Sequence, residues 1–342
     1  MLFRSVALNR SLKHEDGYGY SLFLYRLFDL LNRDIKRGGL NENFPLGIPG
    51  QVIDTEQYLL EDGVDNLLKT VFSAPNPFIT YCHFMPPHDP YKTRVEFYKR
   101  FYNDGYIPLR KPYHLLRKDN VPRIRSVNEY TYEQMERMRI EYDEYILYVD
   151  AEFSRLYEML EQKNILENTI LILTSDHGEM FERGVVKHAT KLMHEPIVRV
   201  PLVIFEPGQT TRRDVFKKTS ALDLLPTLSH LTGHQIPEWS KGRILPPYSD
   251  KTSEGDIVIM DSRANEKDAS IETGSFTLIR GSYKMMYYMG YAELDGGDYV
   301  ELYDIDADPE EMNDLSSTRP DLTNEMLKTL KVKLAEVNEP YL

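Results

Sequence analysis

Asp176 and His177 stand side by side in LILTSDHGEMFERGVVKHAT (171–190), directly after the apolar run Leu171-Ile172-Leu173. A carboxylate and an imidazole at one point can share a divalent cation, the carboxylate lowering the charge and the imidazole adding affinity. A plain polar turn, with Asp176 capping and His177 hydrogen-bonded, is the alternative. Such a cation takes more than two ligands, so the set is open. His88 lies in PPHDPY, between Pro86-Pro87 and Pro90. A stiff, extended loop can hold an imidazole in a cleft, where it can protonate a leaving oxygen near neutral pH; a surface histidine is the plain alternative. Lys187 and His188 follow in a glycine-marked loop. Paired cations suit an anionic ester, or form a solvated basic patch. Cys82, the single cysteine, ends the apolar run 78–82, which reads as a strand, and buried thiols are usually inert.

These residues need elements to hold them. The run 169–174 reads as a buried strand, and ligands bind at the carboxyl ends of strands in open α/β sheets. The spacing of Met138, Tyr142, Tyr145, Ile146, Val149, Phe153, Leu156 and Leu160 predicts a long helix over 131–163. Helices are also expected over 20–34 and 55–72, and a strand over 200–205. SALDLLPTLSHLT (220–232) has the start of a helix, with Ser220 as N-cap and Asp223 at its third position. Residues 92–128 form an aromatic loop of a length usual for a lid or substrate wall. The alternation of strand and helix indicates an α/β sheet with mostly parallel strands. From about residue 240 the pattern changes to short β-like runs (257–260, 275–280, 284–288, 299–303) and a last helix over 320–337, an α+β part with an antiparallel sheet.

The chain has 342 residues, which suggests two domains, divided at 1–245 and 246–342. Its net charge of −13 argues against a nucleic-acid partner but not against an anionic ester bound at a local positive site. One cysteine excludes an intrachain disulfide and suits a reducing compartment. The N-terminus lacks the pattern of a signal peptide, and SLFLYRLFDLLNR, broken by Arg26 and Asp29, is too short to span a bilayer. A cytoplasmic protein is the expectation.

In order and spacing, PHDPY (87–91), the stretch 146–179 ending in TSDHGE, HEPIVRVPLVIFEPG (194–208), SALDLLPTL (220–228) and VELYDIDADPEEMNDL (300–315) resemble the sulfatase family of the alkaline-phosphatase superfamily. The resemblance runs from about residue 75 to the end. It implies an alkaline-phosphatase-like three-layer sandwich with a mostly parallel sheet and a smaller C-terminal antiparallel part. It implies metal-dependent cleavage of a small-molecule or glycan sulfate ester. Asp176 and His177 match metal ligands, usually of Ca2+, with Mn2+ or Zn2+ in relatives. His88 matches the histidine that assists the leaving group. His188 matches the residue that binds the ester's oxygens, with Lys187 and Lys191 as alternatives for that role. The family's strand of adjacent aspartates and its Cys- or Ser-x-Pro-x-Arg motif, source of the formylglycine nucleophile, are not present in the chain. A sulfatase truncated at its N-terminal side is therefore expected. A phosphoester hydrolase or phosphoglycerol-type transferase of the same superfamily, and a non-catalytic remnant of the fold, share every motif seen.

Overall fold

A computed structural model describes residues 44–46, 59–117, 130–249, 255–262, 270–295 and 297–339. The helix expected over 20–34 lies outside these residues, as do 55–58 of the second helix and 118–128 of the aromatic loop. Helix α1 (Leu60–Ser73) buries Leu60, Val64, Leu68 and Val71, one stripe at helical spacing. That stripe packs on α2 (Tyr132–Gln162), which presents Tyr145, Tyr148, Leu156 and Leu160. Thr131 caps α2 with a reciprocal box: its hydroxyl accepts from the Gln134 N–H, and the Gln134 side chain accepts from the Thr131 N–H.

The expected strand after α2 is β1 (Leu171–Thr174). Beyond it come a small hairpin, β2 (Phe181–Glu182) with β3 (Val185–Val186), a one-turn helix α3 (Glu195–Val198), and β4 (Leu202–Phe205). β1 and β4 pair antiparallel, with Leu171 opposite Phe205 and Thr174 opposite Leu202. Parallel neighbours were the expectation, but a parallel partner needs a crossover to the far end of the sheet. Residues 175–201 instead stay at the end where β1 finishes, so β4 returns against it. Mixed sheets with an antiparallel edge strand are common in α/β folds.

The segment 78–82 is not a strand. No strand pairs with it among the described residues, so Ile79 and Tyr81 stand 89% and 87% exposed. Cys82 is exposed too, against the expectation of a buried thiol. The packing it does have pushes the thiol upward from its ordinary value, away from the nucleophilic thiolate.

Ser220 and Asp223 form the expected capping box, on a short 3-10 turn that leads into α4 (Leu224–Leu231). The C-terminal part is a meander of four antiparallel strands in the order β5 (Ile257–Ser262), β6 (Gly274–Arg280), β7 (Tyr283–Met289), β8 (Asp298–Asp304). Its final helix, α5 (Pro320–Asn338), covers one face. Strand alternation divides β7 between two cores. Met285 and Tyr287 pack with Met326 and Leu330 of α5, whereas Met286 and Tyr288 pack with Met180, Leu192 and Met193 of the loops after β1. Among the described residues no helix is long and apolar enough to cross a membrane.

The second of these cores is also charged. Lys284 and His194 have no exposure and Glu311 only 1%. Burial lowers His194 below the ordinary histidine value and keeps it neutral. Burial works against the Glu311 charge, but the His194 N–H and the Lys284 ammonium hold its carboxyl at about 2. An unfolded chain takes a proton on such a histidine near pH 6.5 and on such a carboxyl near 4.5. The folded chain resists both, so its stability should fall as pH drops below about 6.5 and fall further from about 4.5 towards 2. Thermal melts from pH 8 to pH 3 test this; a melting temperature that stays level or rises on acidification would contradict it.

Candidate functional site

β1 ends at Thr174, and the chain turns at once through Ser175 to Gly178. The Ser175 hydroxyl donates to the His177 carbonyl (2.6 Å), and the Gly178 N–H donates to the Ile197 carbonyl of α3 (2.8 Å). Asp176 Oδ1 accepts the His177 N–H (3.0 Å). His177 Nδ1 lies 2.8 Å from the Gly178 carbonyl. A carbonyl only accepts, so Nδ1 carries the proton and the Nε2 lone pair is left for a ligand. That Nε2 is 3.7 Å from Asp176 Oδ2. Burial opposes the Asp176 charge, but His177 beside it and backbone N–H bonds hold the carboxyl below the usual range. One ionised oxygen and one imidazole nitrogen thus converge on the same space, the ring fixed through its other nitrogen as metal-bound histidines are.

The other candidates gather around this turn. The His188 ring stacks on His177 with centroids 4.0 Å apart, and His88 meets His188 edge-on at 5.0 Å. His188 Nδ1 lies 2.9 Å from Glu179 Oε1, and the Tyr91 hydroxyl donates to Glu179 Oε2 (2.8 Å). The hydrogen bond to Glu179 raises His188 above its ordinary value against the cost of burial, and Asp89 and Asp176 add to the rise. Glu179 therefore favours the protonated, cationic form of His188. His88 Nδ1 is 2.9 Å from the Asp89 carbonyl, which fixes its proton on that nitrogen in the neutral ring. Lys187 reaches Asp89 Oδ2 at 2.6 Å. Its φ of 78° is uncommon for a residue with a Cβ, and its N–H is tied to the Met180 carbonyl (2.9 Å).

Lys191 is placed elsewhere. Its ammonium pairs with Glu293 and lies over the Tyr291 ring, and its carbonyl accepts from Ser275, so it is tied to the C-terminal sheet. Three contributors went unread. Tyr91 and Glu179 sit inside PHDPY and SDHGE, but their contact joins residues 88 apart and no local spacing shows it. His83 Nε2 lies 3.6 Å from Asp176 Oδ2, and reading 78–82 as a buried strand had hidden this neighbour.

A second grouping of ligand-type atoms, His114, His194 and Glu301, is buried. The Leu116 N–H donates to His114 Nδ1 (3.0 Å), so the neutral ring carries its proton on Nε2, which faces Glu301 Oε2 at 3.3 Å. Glu301 also accepts from the Tyr288 and Tyr303 hydroxyls, at 3.1 and 3.0 Å. On His114 the proton thus stands where a cation would need a lone pair, whereas His194, with Nδ1 on Glu311, turns its Nε2 towards Glu301 at 3.8 Å.

In an NMR titration of the histidine rings, His188 should titrate above the ordinary histidine value, and Glu179→Gln should bring it down. A His188 midpoint that is not raised, or that the substitution leaves unchanged, would show that Glu179 does not hold the cation.

Comparison with known proteins identifies the frame in which this cluster lies. The family description "Sulfatase" matches residues 12–234, and "N-sulphoglucosamine sulphohydrolase, C-terminal" matches residues 187–340. Choline-sulfatase of Rhizobium meliloti (strain 1021) is 30% identical over 257 residues, covering 70% of this chain and 46% of its own length. The chain thus spans about half the length of that relative. The phosphonate monoester hydrolase of Agrobacterium radiobacter shares the fold with a TM-score of 0.67 at 18% identity, over 95% of this chain and 70% of that one. A structure in complex with its substrate D-glucosamine-2-N,6-O-disulfate matches with a TM-score of 0.61 at 18% identity, over 84% of this chain and 72% of that one.

Proposed function

The chain belongs to the sulfatase family, and from that premise we propose that it forms the ester-binding and part of the metal-holding half of a sulfuric ester hydrolase. The observation that carries this reading is the convergence of Asp176, His177, His188, His88 and Lys187, drawn from two loops far apart in the sequence, on one half-exposed space.

Asp176 Oδ2 and His177 Nε2 would hold a divalent cation, which would neutralise the ester's oxygens. Ca2+ is the ion the family resemblance implies, and the imidazole donor suits Mn2+ or Zn2+ as well. The His188 imidazolium and the Lys187 ammonium present two positive charges to an anionic group. Glu179 keeps the first of them charged and aimed, and Asp89 restrains the second. His88, edge-on to His188 and held through Nδ1 by the Asp89 carbonyl, can pass a proton from Nε2 to the leaving oxygen when its ring is protonated on both nitrogens. A sulfate ester of a small molecule or glycan is the proposed substrate. A phosphoester is the competing reading, and the fold likeness to a phosphonate monoester hydrolase keeps it in the test.

The reading also needs a nucleophile and further metal ligands. No Cys- or Ser-x-Pro-x-Arg sequence and no adjacent aspartates occur in the 342 residues, so the proposal assigns them to another segment.

Two measurements follow. Mn2+ binding, read by the loss of its free-ion electron paramagnetic resonance signal, should weaken by at least about tenfold in Asp176→Ala and in His177→Ala. Equal binding by wild type and both variants would remove the cation from this turn. Assayed as the 342-residue chain with an aryl sulfate and an aryl phosphate, with Ca2+ or Mn2+ present, the protein should turn over neither. Turnover of either ester would show that its own residues supply the nucleophile.

A further inference from the structure

Glu311 lies far along the chain from the site and is nearly inaccessible, at 1% exposure. It belongs to the turn after β8, in the Asp308-Pro309-Glu310-Glu311 stretch to which the proposed chemistry gives no role. Its carboxylate nevertheless takes two hydrogen-bond donors and one ion-pair partner from two elements. His194 Nδ1 is 3.0 Å from Oε2, the Glu195 N–H donates to Oε2 at 2.9 Å, and the Lys284 ammonium of β7 is 2.8 Å from Oε1. Lys284 also reaches Glu195 Oε1 at 2.9 Å. The backbone of the same turn takes a further donor: Arg183, at the tip of the β2–β3 hairpin, donates to the Glu310 and Glu311 carbonyls at 3.0 and 2.7 Å.

Glu311 and its turn therefore grip both arms of the loops after β1. One arm is the start of α3, whose Ile197 carbonyl accepts the Gly178 N–H (2.8 Å). The other is the hairpin, which leads through Lys187, bonded to Met180, to His188. A buried ion cluster is a poor way to add stability, since its desolvation offsets most of its attraction; a well-packed apolar group there would serve as well or better. What the charges add is direction, because the donors converge on Glu311, its turn and Glu195.

We propose that Glu311 is a positioning residue for the Asp176–His177 turn, acting through His194, Glu195 and the Gly178–Ile197 hydrogen bond. The inference rests on the reading of that turn as the cation site, but its mechanical step can be tested alone. In Glu311→Gln the Gly178 amide should exchange with solvent at least about tenfold faster than in wild type, and Mn2+ affinity should fall by about tenfold, the usual effect of losing a group that orients a ligand. Leu330→Ala, which removes apolar packing between α5 and the sheet, is the control: it should lower the melting temperature without changing either value. Should Glu311→Gln fail to fold, Glu195→Gln keeps the backbone bond to Glu311, weakens the grip of Lys284, and should shift both readouts in the same direction by less.

Unchanged Gly178 exchange in a folded Glu311 or Glu195 variant would overturn the proposal, as would an equal change in Leu330→Ala. Wild-type protein that fails to bind Mn2+ at Asp176 and His177, together with faster Gly178 exchange in Glu311→Gln, would sink the metal reading and leave the mechanical link standing.

Discussion

The turn that carries Asp176 and His177 exists because Gly178 has no side chain. A Cβ there would stand 2.0 Å from the Pro196 carbonyl oxygen, a distance no packing change around a backbone oxygen can relieve. With hydrogen in that place, the chain leaves β1 and lies directly against α3, and the Gly178 N–H finds the Ile197 carbonyl. The contact sets where the turn sits, and so where the carboxylate and imidazole face. Everything else near the site is built around it. His188 comes to stack on His177, Glu179 takes up both His188 and Tyr91, and Tyr91 brings with it the proline-stiffened loop of His88 and Asp89.

That contact needs α3 to be fixed, and α3 is a single turn too short to be stable on its own. Its position comes from the C-terminal sheet. Met286 and Tyr288 close an apolar core with Met180, Leu192 and Met193, and the buried charges of Lys284, Glu311 and His194 add direction to that packing. The sheet is thus a floor for the loops after β1, with its other face covered by α5. Lys191, expected to point at substrate, belongs to this floor through Glu293 and Ser275.

Local patterns carried most of the fold. The stripe of α2, the Ser220 start and the four β-like runs of the C-terminal part depend on neighbours within a few residues and stand where the spacing put them, save Ile146 of the stripe, which is exposed. The pairing of β1 with β4 was not legible, because strand direction depends on the path of the 27 residues between them, not on their composition. Residues 78–82 have the composition of a buried strand and yet lie exposed, since composition does not say whether a partner is present. In the site, the residues with obvious chemistry were readable from type and spacing. Those that orient them, Glu179, Tyr91 and Glu311, are tied in by contacts such as Tyr91–Glu179 and Glu195–Glu311, 88 and 116 positions apart, that appear only once the chain is folded.

The resulting site is asymmetric. In the proposed reading Asp176 and His177 serve a cation, His188 and Lys187 an anion, and His88 a leaving oxygen, on a fold shared with a phosphonate monoester hydrolase and with a protein solved with its disulfated glucosamine substrate. The rival cluster at His114, His194 and Glu301 has ligand-type atoms at comparable distances, but the neutral His114 ring turns its Nε2 proton towards Glu301, and the Tyr288 and Tyr303 hydroxyls donate to that carboxylate. Anomalous scattering from a crystal grown with Mn2+ and sulfate separates the two most directly. A manganese peak between Asp176 and His177, with sulfate against Lys187 and His188, is the result this account predicts; manganese among His114, His194 and Glu301, with none at the turn, would contradict it.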